Sequence, residues 1–177
     1  MMNRRKRTSG AEVVEFALCF LPLLIMLFML LDITWAIFVK STLEYAARTG
    51  VRYGITVTGT QAKAANSDLT TMVKTTVQSN ALGLLSGATG LSKIKVNYLQ
   101  PPAVGSTAAA TDVSTTATGD LPGNIMQVSI QGFTLLPLAP RLFSWNQPAD
   151  TSATRVGAVA ADLIEPSNDV PPIGTAP

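Results

Sequence analysis

The chain contains no histidine and only one cysteine among its 177 residues. Without histidine, serine–histidine and cysteine–histidine nucleophile pairs and histidine-bound metal sites are excluded. The lone Cys19 cannot close an intramolecular disulfide. It lies in an apolar run and reads as a small buried hydrophobe rather than a redox group. Charge is also scarce, at 14% of residues. Four of the thirteen basic residues form the block Arg4-Arg5-Lys6-Arg7, which leaves nine against eleven acidic residues in the remainder. That mildly acidic remainder offers no surface for nucleic acid. No Asn-x-Ser/Thr acceptor occurs, and outside the apolar run the chain suffices for one small domain with a modest core.

What the sequence does have is the stretch Ser9 to Val39, SGAEVVEFALCFLPLLIMLFMLLDITWAIFV. Phe16 to Leu31 is free of charge, and Ile33 to Val39 continues the run after Asp32. As a helix rising about 1.5 Å per residue, Phe16 to Val39 reaches roughly 36 Å, enough for a hydrocarbon core of about 30 Å. A cleaved secretory signal would be shorter and followed by an Ala-x-Ala site, which Trp35 to Lys40 does not provide. The basic block precedes the run, so the N-terminus is expected in the cytoplasm and the C-terminal part is expected to be exported. Two carboxylates interrupt the span. An acid near the bilayer centre costs about 2.5 to 3.5 kcal/mol on insertion scales. Glu15 and Asp32 escape that cost if each lies at an interface. Alternatively, Glu15 awaits a positive charge, and cleavage after Gly10 would create one nearby, the α-amino group of Ala11.

The basic block, Gly10, and then Ala11-Glu12-Val13-Val14-Glu15-Phe16 together resemble the prepilin-peptidase site of type IV pilins, particularly the Flp/Tad branch. In that pattern a short basic leader ends in glycine and glutamate is the fifth mature residue, followed by an aromatic. The longer set Glu15-Phe16-Ala17-Leu18, Pro22, Asp32 and Ala46-Ala47-Arg48-Thr49-Gly50-Val51-Arg52 is similar to the TadE-like pseudopilins, minor components of the tight-adherence pilus machinery. The resemblance implies removal of residues 1–10 by a prepilin peptidase, leaving Ala11 as the N-terminus. It implies that Glu15, with Phe16 beside it, neutralises the amine of an adjacent subunit, and that Pro22 kinks the span. It also implies other pilins or pseudopilins as partners through the stem, together with the Tad inner-membrane assembly platform. The expected location is the bacterial inner membrane, single pass, with possible incorporation into a surface pilus.

Past the membrane the helical pattern runs to about Tyr53. Glu44 and Arg48 have the spacing of an i, i+4 ion pair. Ala46, Gly50 and Gly54 form a small-residue stripe that lets another helix approach closely, although Gly54 also reads as the helix C-cap. Arg48 and Arg52 read as a solvated or intersubunit face. Gln61 to about Leu82 is expected as one helix, with Ala65, Leu69, Met72, Val73 and Val77 on its core side. Gly83, Gly87 and Gly90 then break the chain. Lys93 to Leu99 and Met126 to Gln131 alternate as half-buried strands, and a third strand is expected between Ala153 and Ile164. Gln100 to Gly123 reads as a long exposed connection. Thr134 to Trp145, interrupted by Pro137 and Pro140, is expected to cover the sheet edge, and the proline-rich tail from Pro166 to be disordered.

The expected fold class is thus α+β: residues 1–10 a leader, 11–55 a transmembrane stem helix, 56–165 a small exported head with one helix on about three antiparallel strands, and 166–177 a tail. The one nucleophile-like spacing, Ser92 to Lys95, falls in an expected strand that would point the two side chains apart. No enzyme activity, metal or cofactor is expected. The reading is a processed TadE-like minor pilin; its rival is an uncleaved, signal-anchored envelope protein whose head binds a partner.

Overall fold

A computed structural model describes residues 9–116, 118–135, 154–166 and 169–174. Helix α1 spans Ser9–Gly54 and is followed by α2 (Gly59–Ala64), α3 (Leu69–Asn80) and α4 (Gly87–Ser92). Strands β1 (Ile94–Gln100), β2 (Thr111–Asp112), β3 (Ile125–Leu135) and β4 (Thr154–Leu163) form one antiparallel sheet in the order β2-β1-β3-β4. The α+β class and the long N-terminal helix stand as expected. The chain divides into two units, residues 1–37 with 135–154, and residues 38–134 with 155–177.

The first unit is described mainly through its helix. Val13, Val14, Phe16, Leu18, Leu23, Met26, Leu30 and Ile33 are all exposed. Pro22 lies inside this continuous helix. The Thr34 hydroxyl is satisfied within it, donating to the Leu30 carbonyl at 2.8 Å. Cys19 is exposed, not buried. Cys19 shares the exposure of the apolar residues around it, such as Leu18 and Phe20.

The second unit is the head, and it includes α1 from Phe38 onward. Burial begins at Val39 and continues through Leu43, Ala46, Ala47 and Val51. The core joins these residues to Leu69, Val73 and Val77 of α3, to Ile94, Val96 and Tyr98 of β1, and to Met126, Val128 and Ile130 of β3. In the β1–β3 register Ile94 faces Ile130, Val96 faces Val128 and Tyr98 faces Met126, so the alternating residues share one face.

The expected single helix from Gln61 to Leu82 is two helices. Asn66 takes a left-handed φ of 48°, and Asp68 then caps α3, accepting from the Thr71 N–H at 2.8 Å. The break exchanges Ala65, which is exposed, for Ala62, which is buried. Helix α2 begins with a capping box between Thr58 and Gln61. The glycine-rich segment does not merely interrupt the chain: Gly87–Ser92 forms α4, and a Cβ on Gly90 would overlap the Leu85 carbonyl.

Among the described residues the sheet has four strands rather than three. The long connection after β1 returns to the sheet through β2, pairing Leu99 with Asp112 and Gln100 with Thr111. Beyond β2, the Ser114 hydroxyl accepts from the Tyr98 N–H at 2.8 Å, and the Val113 N–H donates to the Tyr98 carbonyl at 2.8 Å. The third expected strand is β4. Residues 136–153, with Pro137, Pro140, Phe143 and Trp145, lie outside the described residues.

The expectation of a disordered tail is corrected over residues 169–174. The Gly59 N–H donates to the Asp169 carbonyl at 2.9 Å, Leu69 N–H to Pro172 at 2.9 Å and Thr70 N–H to Ile173 at 3.2 Å. Asp169 Oδ2 accepts from the Thr60 N–H at 2.7 Å and from its hydroxyl at 2.6 Å. The tail thereby satisfies the unpaired first-turn amides of α2 and α3, and Ile173 is buried. A composition poor in large apolar residues docks through its backbone.

Candidate functional site

The N-terminal end of α1 carries the sequence motif. Helix α1 is described from Ser9, and the bond between Gly10 and Ala11 lies within it. Glycine weakens a helix by roughly 0.5 to 1 kcal/mol relative to alanine, which favours local opening at this bond. Gly10 is exposed, and a Cβ there would meet nothing within 4 Å. Its small size is therefore not required for packing within the chain.

Ala11, Glu12 and Glu15 are exposed, and among the described residues Glu15 makes no ion pair. Phe16 is 68% exposed and stacks on Phe20 with ring centroids 5.5 Å apart. One turn of helix separates Ala11 from Glu15, so both project from the same side of the stem. Pro22, two turns further on, is also exposed. Asp32 is partly covered.

The second motif behaves differently. Ala46, Ala47 and Gly50 face the core of the head, whereas Arg48 and Arg52 are exposed. The helix that approaches the small-residue stripe is the chain's own α3. A Cβ on Gly50 would overlap a Val77 methyl, and one on Gly54 would stand 2.7 Å from Val73 Cγ2. Gly54 ends α1, but among the described residues it is not one of the glycines with positive φ. It is glycine for closeness rather than for a left-handed cap. The expected Glu44–Arg48 pair is replaced. Glu44 Oε1 lies 3.9 Å from Lys40 Nζ, an exposed contact of small energetic weight.

Inside the head, polar groups serve the fold. The Thr70 hydroxyl donates to the Ile173 carbonyl at 2.6 Å and lies 3.2 Å from the Tyr98 hydroxyl. Burial pushes the Tyr98 phenol well above its ordinary range. The Ser114 hydroxyl, donating to Asp112, holds that carboxyl below the usual carboxylate range. Burial raises Asp120. Among the described residues no group of three or more acidic or cysteine side chains is placed to hold a metal. Ser92 ends α4 and Lys95 lies in β1, and the Ser92 hydroxyl donates to the Thr89 carbonyl.

The sequence motif missed the tail strap at Asp169. Its only sequence signal was an acid preceding an apolar pair, Val170 and Ile173, within the prolines.

Helix α1 is long and apolar enough to cross a membrane over Gly10–Gly54. No curated protein and no solved structure matches the chain. The family model described as TadE-like protein matches residues 10–52, so the segment that carries both motifs, from Gly10 through Arg52, is TadE-like.

Proposed function

We propose that this membrane-anchored protein is a minor pilin or pseudopilin of a Tad/Flp pilus, processed by a prepilin peptidase after Gly10. It helps initiate, cap or regulate pilus assembly, with no catalytic role and no cofactor of its own. The observation that supports the reading is the exposure of Gly10, Ala11, Glu15 and Phe16 on a segment of α1 matched by the TadE-like model.

The chemistry follows from that placement. Cleavage between Gly10 and Ala11 removes the basic leader and frees an amine one turn before Glu15. In an apolar environment an unpaired carboxylate is costly, whereas a hydrogen-bonded ion pair offsets much of that cost. A Glu15 on one subunit that meets the Ala11 amine of the next fixes the stagger between stems. Other pilins, the prepilin peptidase and the Tad inner-membrane assembly platform are the partners of this reading. It places the chain as a single-pass protein of the bacterial inner membrane with its head exported.

Glu15→Ala tests it. The variant is expected to be processed like the parent, because the scissile bond is untouched. It is expected to lose crosslinking between stems and incorporation into pilus material. Unaltered incorporation of Glu15→Ala would refute the charge-pairing role.

A further inference from the structure

The two edges of the sheet are finished differently. At one edge stands β2, two residues long, and beyond it Val113 and Ser114 occupy the Tyr98 backbone. At the other edge stands β4, ten residues long and without proline or lysine. Among the described residues no strand lies beyond it. Short length, lysine and proline are among the usual means by which an edge strand is kept from pairing with another chain. Strand β4 has none of these. Val159 is 60% exposed and Leu163 is 52% exposed, so the open edge also carries apolar side chains.

Ile164, one residue past β4, fixes which backbone groups face outward. Its N–H donates to the Asn124 carbonyl at 2.8 Å and its carbonyl accepts from the Gly123 N–H at 3.3 Å, both on the β3 side. Along an antiparallel strand the backbone groups of alternate residues point to opposite neighbours. Those of Gly157, Val159, Ala161 and Leu163 therefore turn to the open edge. The Leu163 N–H behaves accordingly: it donates to the side chain of its own neighbour, Asp162 Oδ1, at 2.8 Å. The same alternation puts Arg155 and Glu165 on one face with Val159 and Leu163. Both charged residues are exposed, and neither makes an ion pair among the described residues. That face thus has a cation at one end, an anion at the other and apolar side chains between.

Such an edge is complementary to itself. Two antiparallel copies of β4 related by a two-fold axis at Ala160 set Arg155 of each against Glu165 of the other, Gly157 against Leu163 and Val159 against Ala161. Moving the axis by one residue either way takes the charges out of direct opposition. We propose that the open edge of β4 is the interface of a homodimer, paired antiparallel in this register, so that two four-stranded sheets join into one. The occupant is a second copy because the charge order of β4 is its own complement. On pairing, Asp162 releases the Leu163 N–H to the carbonyl of the partner's Gly157. The inference concerns the head and does not depend on leader removal or pilus assembly.

The test uses the full chain in membranes and in detergent, with Cys19→Ala so that each introduced cysteine is the only one. Directly opposed residues on antiparallel strands have Cα atoms about 4.5 to 5.5 Å apart, within reach of a disulfide. Ala160→Cys is therefore expected to give a disulfide-linked dimer under mild oxidation. Leu163→Cys, an exposed position on the same strand, is expected to give none, because its two copies lie about 20 Å apart along the paired strands. Equal crosslinking at both positions, crosslinking at 163 alone or crosslinking at neither overturns the proposal. A monomeric mass for the parent chain by light scattering overturns it too, in favour of an edge covered by the chain itself. The charges supply an independent check. Arg155→Glu is expected to lower the dimer fraction several-fold at low salt, and Arg155→Glu combined with Glu165→Arg to restore it. A double variant as weak as the single one overturns the pairing of these charges, and the register with it.

Discussion

Helix α1 has one backbone and two kinds of surface. Before Phe38 it displays phenylalanine, leucine, isoleucine and methionine to its surroundings; from Val39 it turns alanine, glycine and valine toward a packed head. The difference lies in side-chain size more than in hydrophobicity. Large side chains suit an exposed surface, because they present apolar area to whatever surrounds the helix. Ala46, Ala47, Gly50 and Gly54 suit a surface that α3 approaches closely, because bulk there would push α3 away. The glycines show the contrast most directly: a Cβ on Gly10 meets nothing, while a Cβ on Gly50 overlaps Val77.

Matched substitutions turn that contrast into measurements. Gly50→Leu is expected to destabilise the head by about 3 kcal/mol or more, the upper range for overpacking, read as a fall in the thermal midpoint of the detergent-solubilised chain. Gly10→Leu is expected to leave the midpoint unchanged and to block removal of the leader, read by intact mass. An equal loss of stability in the two would erase the distinction between the two surfaces. Removing residues 166–177 is expected to cost about 2 to 4 kcal/mol, because it strips buried Ile173 and the acceptors of Leu69 and Thr70. Tyr98→Phe removes one side-chain hydrogen bond with Thr70 and is expected to cost about 1 kcal/mol.

The smallest effect concerns pH. The Thr60 hydroxyl and amide, with Lys63 nearby, hold the Asp169 carboxyl below the usual carboxylate range. Its folded pKa is thus lower than its unfolded one. The stabilisation is complete above the unfolded value of about 3.9 and is lost as pH falls through the folded value. Hydrogen exchange at Gly59 and Thr60, corrected for its intrinsic pH dependence, is expected to accelerate in that acid window. Asp169→Asn is expected to abolish the transition.

Much of this architecture is legible in the residues. The stem shows itself through an uninterrupted apolar run, and β1 and β3 through strict alternation around Ile94, Val96, Met126 and Val128. The break between α2 and α3 was present as Asn66-Ser67-Asp68, a cluster of turn and capping residues, but the apolar spacing across it masked the change of direction. Strand β2 is two residues long and has no period to read. The strap at residues 169–174 is held mainly through its own carbonyls, which every residue possesses, so proline and glycine content concealed it. At the N-terminus the motif residues Gly10 to Phe16 fall within the segment that the TadE-like model matches. The intramolecular role of Gly50 was not accessible, because spacing shows that a helix can approach but not which helix does.

The most direct test is the N-terminal residue of the chain isolated from its native membrane, in cells with an active prepilin peptidase, by terminal sequencing and intact mass. A chain beginning at Ala11 is the expected result and ties the exposed half of α1 to processing and stem assembly. A chain that retains Met1 or Met2 would contradict it, and would leave α1 as an uncleaved anchor for the head.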